Sequence, residues 1–210
     1  MSATLPGMAI TGKQYVIRSP KQLAALSSAA RQELIDALAT IGTVSVAEIA
    51  STLGRPADAL YFHLRALKKA GLVQQVGYRT RSGRKEALYK TIAPELRLPY
   101  EPRTESHRRA VTSIVSSMLR LGIRDFGSAF QEAGVNLSGP SRELWALRRT
   151  ARLSLEEVAS LNRSIKGLMN SVAKPSGKGR LYGITILLTP LDHRGREPKQ
   201  SAKQAGGKKK

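Results

Sequence analysis

Apolar residues recur at helical spacing along much of the chain, and most runs carry a start or stop signal. Ser19-Pro20, an N-cap serine with proline at the first helical position, precedes Leu23 and Leu26 and predicts a short helix anchored by those leucines. Leu34, Ile35 and Leu38 share one face of a second helix, from about residue 28 to residue 39, that closes near Gly42. Ser45-Val46-Ala47-Glu48 is a capping box, in which serine and glutamate satisfy each other's free backbone donors, and it predicts a helix reaching Leu53. Gly54 then supplies a left-handed stop, Arg55 stands between helices, and Pro56 opens the next one. So short a connection forces a sharp angle, which is a helix-turn-helix pattern.

The second helix of that pair lies in LGRPADALYFHLRALKKAG, residues 53–71. Leu60, Leu64 and Leu67 fall at i, i+4 and i+7 and form a narrow apolar stripe, with Tyr61, Arg65, Lys68 and Lys69 on or near the opposite side. One face suits a core and the other an external partner. After Gly71, LVQQVGYRT and RKEALYKTI read as two strands around Arg81-Ser82-Gly83, where Ser-Gly supplies the turn. A basic hairpin directly after a helix-turn-helix is a wing.

Residues 93–103, APELRLPYEPR, hold three prolines and no helical period, and are read as a linker. Residues 104–133 form a long helical segment, one helix or two with a break at Gly122 or Gly127, whose apolar side includes Val111, Ile114, Met118, Phe126 and Phe130. A further helix is expected from Glu143 to Arg149, carrying the single tryptophan, Trp145. Ser154-Leu155-Glu156-Glu157 is a second capping box, opening a helix with Leu155, Val158, Leu161, Ile165, Leu168, Met169 and Val172 at helical spacing. Such a stripe, not sustained as heptads, reads as intradomain core. Residues 181–190 read as a strand, and the last 18 residues, with no core-forming side chains, as a disordered basic tail. The expected fold class is mainly α with a small β wing: an N-terminal extension (1–18), a winged helix-turn-helix domain (19–92), the linker, and a mostly helical C-terminal dimerisation or effector domain (104–192) with one or more strands, ahead of the tail (193–210).

Charge gives that architecture a partner. The net charge is +20, from 35 basic and 15 acidic residues, which points to a polyanion. Residues 53–90 alone carry nine basic groups against Asp58 and Glu86. There is no cysteine, so a disulfide framework, a thiolate metal site and a cysteine nucleophile are excluded. The start of the chain lacks a signal-peptide core and the longest apolar run is too short for a bilayer, so a soluble cytoplasmic, nucleoid-associated protein without a membrane partner is expected.

The major groove of DNA admits an α-helix and displays distinguishable base edges there. Arg55 at the helix entrance and Arg65 on its outer face suit guanine edges or phosphates, and Tyr61 offers a hydroxyl and a ring for thymine methyls. Ala57 and Phe62 complete that surface, and Lys68 and Lys69 suit phosphate. Asp58 either satisfies the helix dipole or accepts from a cytosine amino group. Arg79, Arg81, Arg84 and Lys85 cluster at the wing tip, for phosphate contact or for insertion into a narrow minor groove. His63, His107 and His193 are far apart, and His63 reads as a packed, hydrogen-bonded core residue. No metal site, cofactor or catalytic motif is expected, and the chain does not read as an enzyme.

Residues 19–92 resemble the winged helix-turn-helix domain of ArsR-type transcription regulators. The resemblance rests on ALSSAARQELIDAL, VSVAEIASTLGRPADALYFHLRALKKAGLV and GYRTRSGRKEALYKTI, and above all on ALYFHLRALKKAGLV. It implies a homodimer on a near-palindromic operator of double-stranded DNA, usually as a repressor, with dimer contacts from helices outside the helix-turn-helix. Metal-sensing members carry cysteines in the first helix of the pair, or Asp and His on a terminal helix. Here VSVAEIA has none of these and the segment after Thr104 has only His107, which argues against a metal effector. The C-terminal region, with Phe126, Phe130, Trp145 and the 181–190 strand, is either plain core or a pocket for an unidentified small-molecule effector. Two alternatives to a sequence-specific regulator stand beside it: a non-specific nucleic-acid-binding or nucleoid protein, and a winged-helix protein-interaction module.

Overall fold

The computed structural model describes residues 10–11, 14–99, 104–172 and 179–191. The basic tail and most of the loop before residue 180 lie outside the described residues.

The first helix, α1 (Pro20–Leu26), starts with Pro20 in place, although the Ser19 side chain makes no capping bond. Helix α2 (Ala29–Ile41) runs two residues past the expected end and closes on Gly42 at φ +90°, a conformation that favours glycine. Helix α3 (Val46–Leu53) begins with the full capping box between Ser45 and Glu48, and ends at Gly54 in the left-handed conformation, φ +59°. Pro56 serves as the N-cap of α4 (Ala57–Lys69).

Two short strands, β1 (Ile10–Thr11) and β2 (Gln14–Val16), precede these helices in the chain. Strand β3 (Val44–Ser45) joins the wing strands β4 (Val73–Arg81) and β5 (Arg84–Thr91) in an antiparallel sheet of order β3-β5-β4. The wing turn pairs Arg81 with Arg84 across Ser82 (φ +49°) and Gly83 (φ +75°), the two positive-φ positions a tight hairpin needs. The expected linker contains a strand, β6 (Glu95–Arg97), which pairs in parallel with β2, itself antiparallel to β1. Three strands of two or three residues carry too little alternation to be read from sequence.

Leu23, Leu26, Leu34, Ile35, Leu38, Val46, Ile49, Leu60, Leu64 and Leu67 form one buried cluster with Leu72 and Val73. Leu60, Leu64 and Leu67 are the three buried residues of α4, as their spacing predicts. Helix α5 (Glu105–Gln131) is a single helix, unbroken at either glycine, capped by the Thr104 side chain accepting from His107 N–H. Only its first half docks on the cluster. Ile114 is buried, Ser117 donates to the Ser27 carbonyl at 2.8 Å, and Gln32 donates to the Ile114 carbonyl at 3.1 Å.

Three C-terminal expectations are corrected. Residues 143–149 form no helix: Trp145, Leu147, Ala151 and Leu153 recur at intervals of two and four, and Glu143 is held by Asn136, whose N–H donates to it at 2.7 Å. Helix α6 (Leu155–Val172) forms with its capping box, Ser154 N–H donating to Glu157 and Glu157 N–H to Ser154 Oγ, but buries none of its residues, so its apolar stripe is not intradomain core. Residues 181–190 have no ladder partner among the described residues and form no strand.

Candidate nucleic-acid interface

The core stripe of α4 fixes what its other side presents. Asp58, Tyr61, Phe62, Arg65, Lys68 and Lys69, at i, i+3, i+4, i+7, i+10 and i+11, lie along one exposed side of the helix, with Ala57 half-buried at its start. Phe62 is 63% exposed, a large aromatic surface turned away from the core. Asp58 lies in the first turn, where a carboxylate complements the helix dipole, and Lys68 and Lys69 lie in the last, where cations do. The exposed side of α4 is joined to the wing where Lys68 donates to Gln75 of β4 at 3.1 Å; on the wing itself, burial first, then Tyr61 and Tyr78, raise the Tyr89 hydroxyl pKa. The exposed surfaces of α4 and the wing therefore adjoin.

The arginines divide into engaged and free. Arg55 lies 2.9 Å from Glu33 of α2, close enough for an ion pair although its Nε–H is not aligned for a hydrogen bond. It braces the turn onto α2. Arg79 is held by Glu48 at 2.9 Å and Glu86 at 3.1 Å, and Arg81 sits 3.7 Å from Glu48. The Ser45 N–H, first, and Arg79, second, hold the Glu48 carboxyl below its ordinary range, so one carboxylate both caps α3 and anchors the wing. Lys68 donates to Gln75 on β4 at 3.1 Å, and Lys85 stacks over the Tyr78 ring at 4.4 Å. Among the described residues Arg65, Lys69 and Arg84 have no ion-pair partner, and all three are exposed. Ala47, Arg81, Ser82, Arg84 and Glu86 line an open crevice of about 460 Å³ between the start of α3 and the wing turn.

The spacing of residues 57–69 revealed the outward face, but no local signal links Arg55 to Glu33 or Arg79 to Glu48, 22 and 31 positions apart. His63 is half-buried with an unpartnered Nδ1, so it is packed without the expected hydrogen bond, and burial, then Arg31 and Arg55, lower its pKa. Among the described residues no group of three or more His, Cys, Asp or Glu side chains could hold a metal ion. Phe130 and Trp145 are each 62% exposed and Phe126 is exposed too. Among the described residues they form no core. A cavity of about 530 Å³ lies instead among Leu26, Ile35, Leu96, Leu98, Ile114 and Met118.

No described helix is long and apolar enough to cross a membrane. A comparison with curated proteins finds no match. Residues 26–76, from the end of α1 into β4, match the family model described as a helix-turn-helix domain, about a quarter of the chain. The segment that builds the outward face is thus a helix-turn-helix domain, and it supports, in general terms, a DNA-binding transcription regulator.

Proposed function

We propose that the chain is a sequence-specific, homodimeric DNA-binding regulator of the ArsR type that acts in the cytoplasm as a repressor. Helix α4 enters the major groove and the wing lies on the backbone. The observation that carries this reading is the single exposed stripe of α4, aromatic in the middle and basic toward its end, bordering a hairpin whose turn carries an arginine with no ion-pair partner among the described residues. Tyr61, Phe62 and Arg65 reach base edges, while Lys69, Arg84 and Arg81 meet phosphates. Arg55 and Arg79 act chiefly as braces, because their charges are already matched by Glu33 and by Glu48 and Glu86.

Anisotropy titration against the DNA upstream of the gene and a scrambled duplex of equal length tests the proposal. A specific regulator prefers its site by about a thousandfold or more, whereas a purely electrostatic binder shows equal affinities and one steep salt slope. Arg65→Ala and Tyr61→Ala should each reduce the preference by roughly tenfold, the value of about one base contact. Undiminished discrimination in both variants removes α4 from the reading role.

A further inference from the structure

The cavity of about 530 Å³ opens where the end of α1, α2, β6 and the first half of α5 meet. Small-molecule sites span roughly 300–1,000 Å³, so it is large enough for one. Its inner wall is apolar and buried, with Ile17, Leu26, Ile35 and Ile114 each no more than 7% exposed, whereas Asp36, Arg97 and Met118 at its rim meet solvent. Two acceptors on this lining lack donors. Gln32, itself only 6% exposed, donates from Nε2 to the carbonyls of Leu26 at 2.7 Å and Ile114 at 3.1 Å, and its buried Oε1 has no hydrogen-bond partner among the described residues. Such an acceptor costs stability until a donor reaches it.

The second acceptor is Asp36, one turn further along the same side of α2. The carboxylates around it are matched: Glu33 pairs with Arg55 and Arg124, Asp125 with Arg124, and Glu95 with Arg97, which also lines the cavity. Among the described residues Asp36 has no ion pair, so one carboxylate is left over. Four carboxylates thus face three guanidiniums here, in a chain whose net charge is +20. What this corner lacks is a positive charge and a hydrogen-bond donor. An ammonium bearing N–H groups supplies both, and because helix positions i and i+4 stand about 5–6 Å apart at Cβ, one nitrogen between them donates to both side chains. A neutral molecule would leave Asp36 unmatched, and an anion would add to its charge. A metal ion would find no group of three or more ligands among the described residues.

We propose that this cavity binds a small organic ammonium, whose N–H groups bond Asp36 and Gln32 while its apolar body lies against Ile17, Leu98, Ile114 and Met118. The site lies where α5 docks on the helix-turn-helix, apart from the outward face of α4. Binding there is measured without DNA, so loss of the ligand and loss of operator recognition are separate results. The Asp36 carboxyl is pushed up to about 6, by burial first and then by Glu33 and Asp125, and is ionised above that pH. An alkylammonium keeps its charge well beyond this range. Affinity is therefore full above pH 6 and falls about tenfold for each pH unit below it.

Isothermal titration calorimetry on the full chain tests the site, with phenylbutylammonium as probe and phenylbutanol, phenylbutyrate and the trimethylated ammonium as controls. The ammonium should bind about tenfold more tightly than each control, the lower end for a hydrogen bond to a charged group. Asp36→Asn keeps the shape of the side chain at the exposed rim and should abolish that preference. Lowering the pH from about 7 to about 5 should weaken binding to the parent roughly tenfold and leave the Asp36→Asn protein unaffected. Met118→Trp, at a position 37% exposed and so tolerant of a larger side chain, should obstruct the cavity and weaken ammonium and alcohol alike. Absence of binding, equal affinity for ammonium and alcohol, a trimethylated probe that binds as well as the primary one, or an Asp36→Asn protein that still prefers the ammonium would overturn the proposal.

Discussion

Glu33 shows how one side chain can tie distant parts of the chain together. Its carboxylate is 12% exposed and pairs with Arg55 of the helix-turn-helix connection at 2.9 Å and with Arg124 of α5 at 2.7 Å. Glu33→Gln removes the charge both arginines face, and should cost about 1–3 kcal/mol, since bonds to charged groups lie at that level. Thermal unfolding of the variant checks this, and an unchanged midpoint would mean the two pairs contribute nothing measurable. One turn along α2, Asp36 has its carboxyl pushed up from 3.8 to about 6, by loss of hydration on burial first and by the charges of Glu33 and Asp125 next. More than a third of its surface still meets solvent, which screens part of the effect. The folded state binds the proton more tightly, so stability falls as pH rises from 3.8 to about 6 and is level above. Asp36→Asn should therefore match the parent below pH 3.8 and melt higher above pH 6, a difference that grows between those limits. A constant offset at every pH would show that titration is not its source.

At the scale of elements, α3 is tied to the wing because Glu48 serves both, capping α3 through Ser45 and holding Arg79 of β4, and α4 is tied to it through Lys68 and Gln75. Among the described residues this leaves Arg84 without an ion pair and Arg81 at the long distance of 3.7 Å from Glu48. Replacing both with alanine should lower affinity for all DNA sequences alike and reduce the slope of log K against log salt by about 2, near 0.9 for each phosphate that is no longer neutralised. Titrations at several salt concentrations measure that slope, and equal slopes in variant and parent would assign the phosphate-binding role elsewhere. Helix α5 has a divided role: its first half, with Ile114 and Ser117 buried, belongs to the core, whereas Ile123 is 73% exposed beyond it.

The whole molecule has two unequal halves. One contains nearly all the buried apolar residues, since only Ile114 of the cluster comes from beyond residue 93. The other displays its apolar residues on α6 and on residues 181–188. Burial of apolar surface is the main favourable term in folding and association, so this division places the chain's association potential in its C-terminal half. The net charge of +20 acts over the entire surface and speeds approach to a polyanion without selecting a sequence. In the proposed function, selection falls to the α4 stripe.

What the sequence by itself determined was local. The capping box at Ser45, the left-handed Gly54, the i, i+4, i+7 leucines of α4 and the Ser-Gly wing turn are signals within a few residues, and each produced its element. The outward face of α4 was legible for the same reason, because once the leucines are buried the opposite residues must be exposed. Tertiary structure decided the rest. Arg55 and Arg79 are braces because folding brings Glu33 and Glu48 to them, and the β2–β6 pair joins residues 81 apart. The α6 stripe marks the limit most plainly: helical periodicity states that a face is apolar, but only the arrangement of elements decides whether the chain itself covers that face.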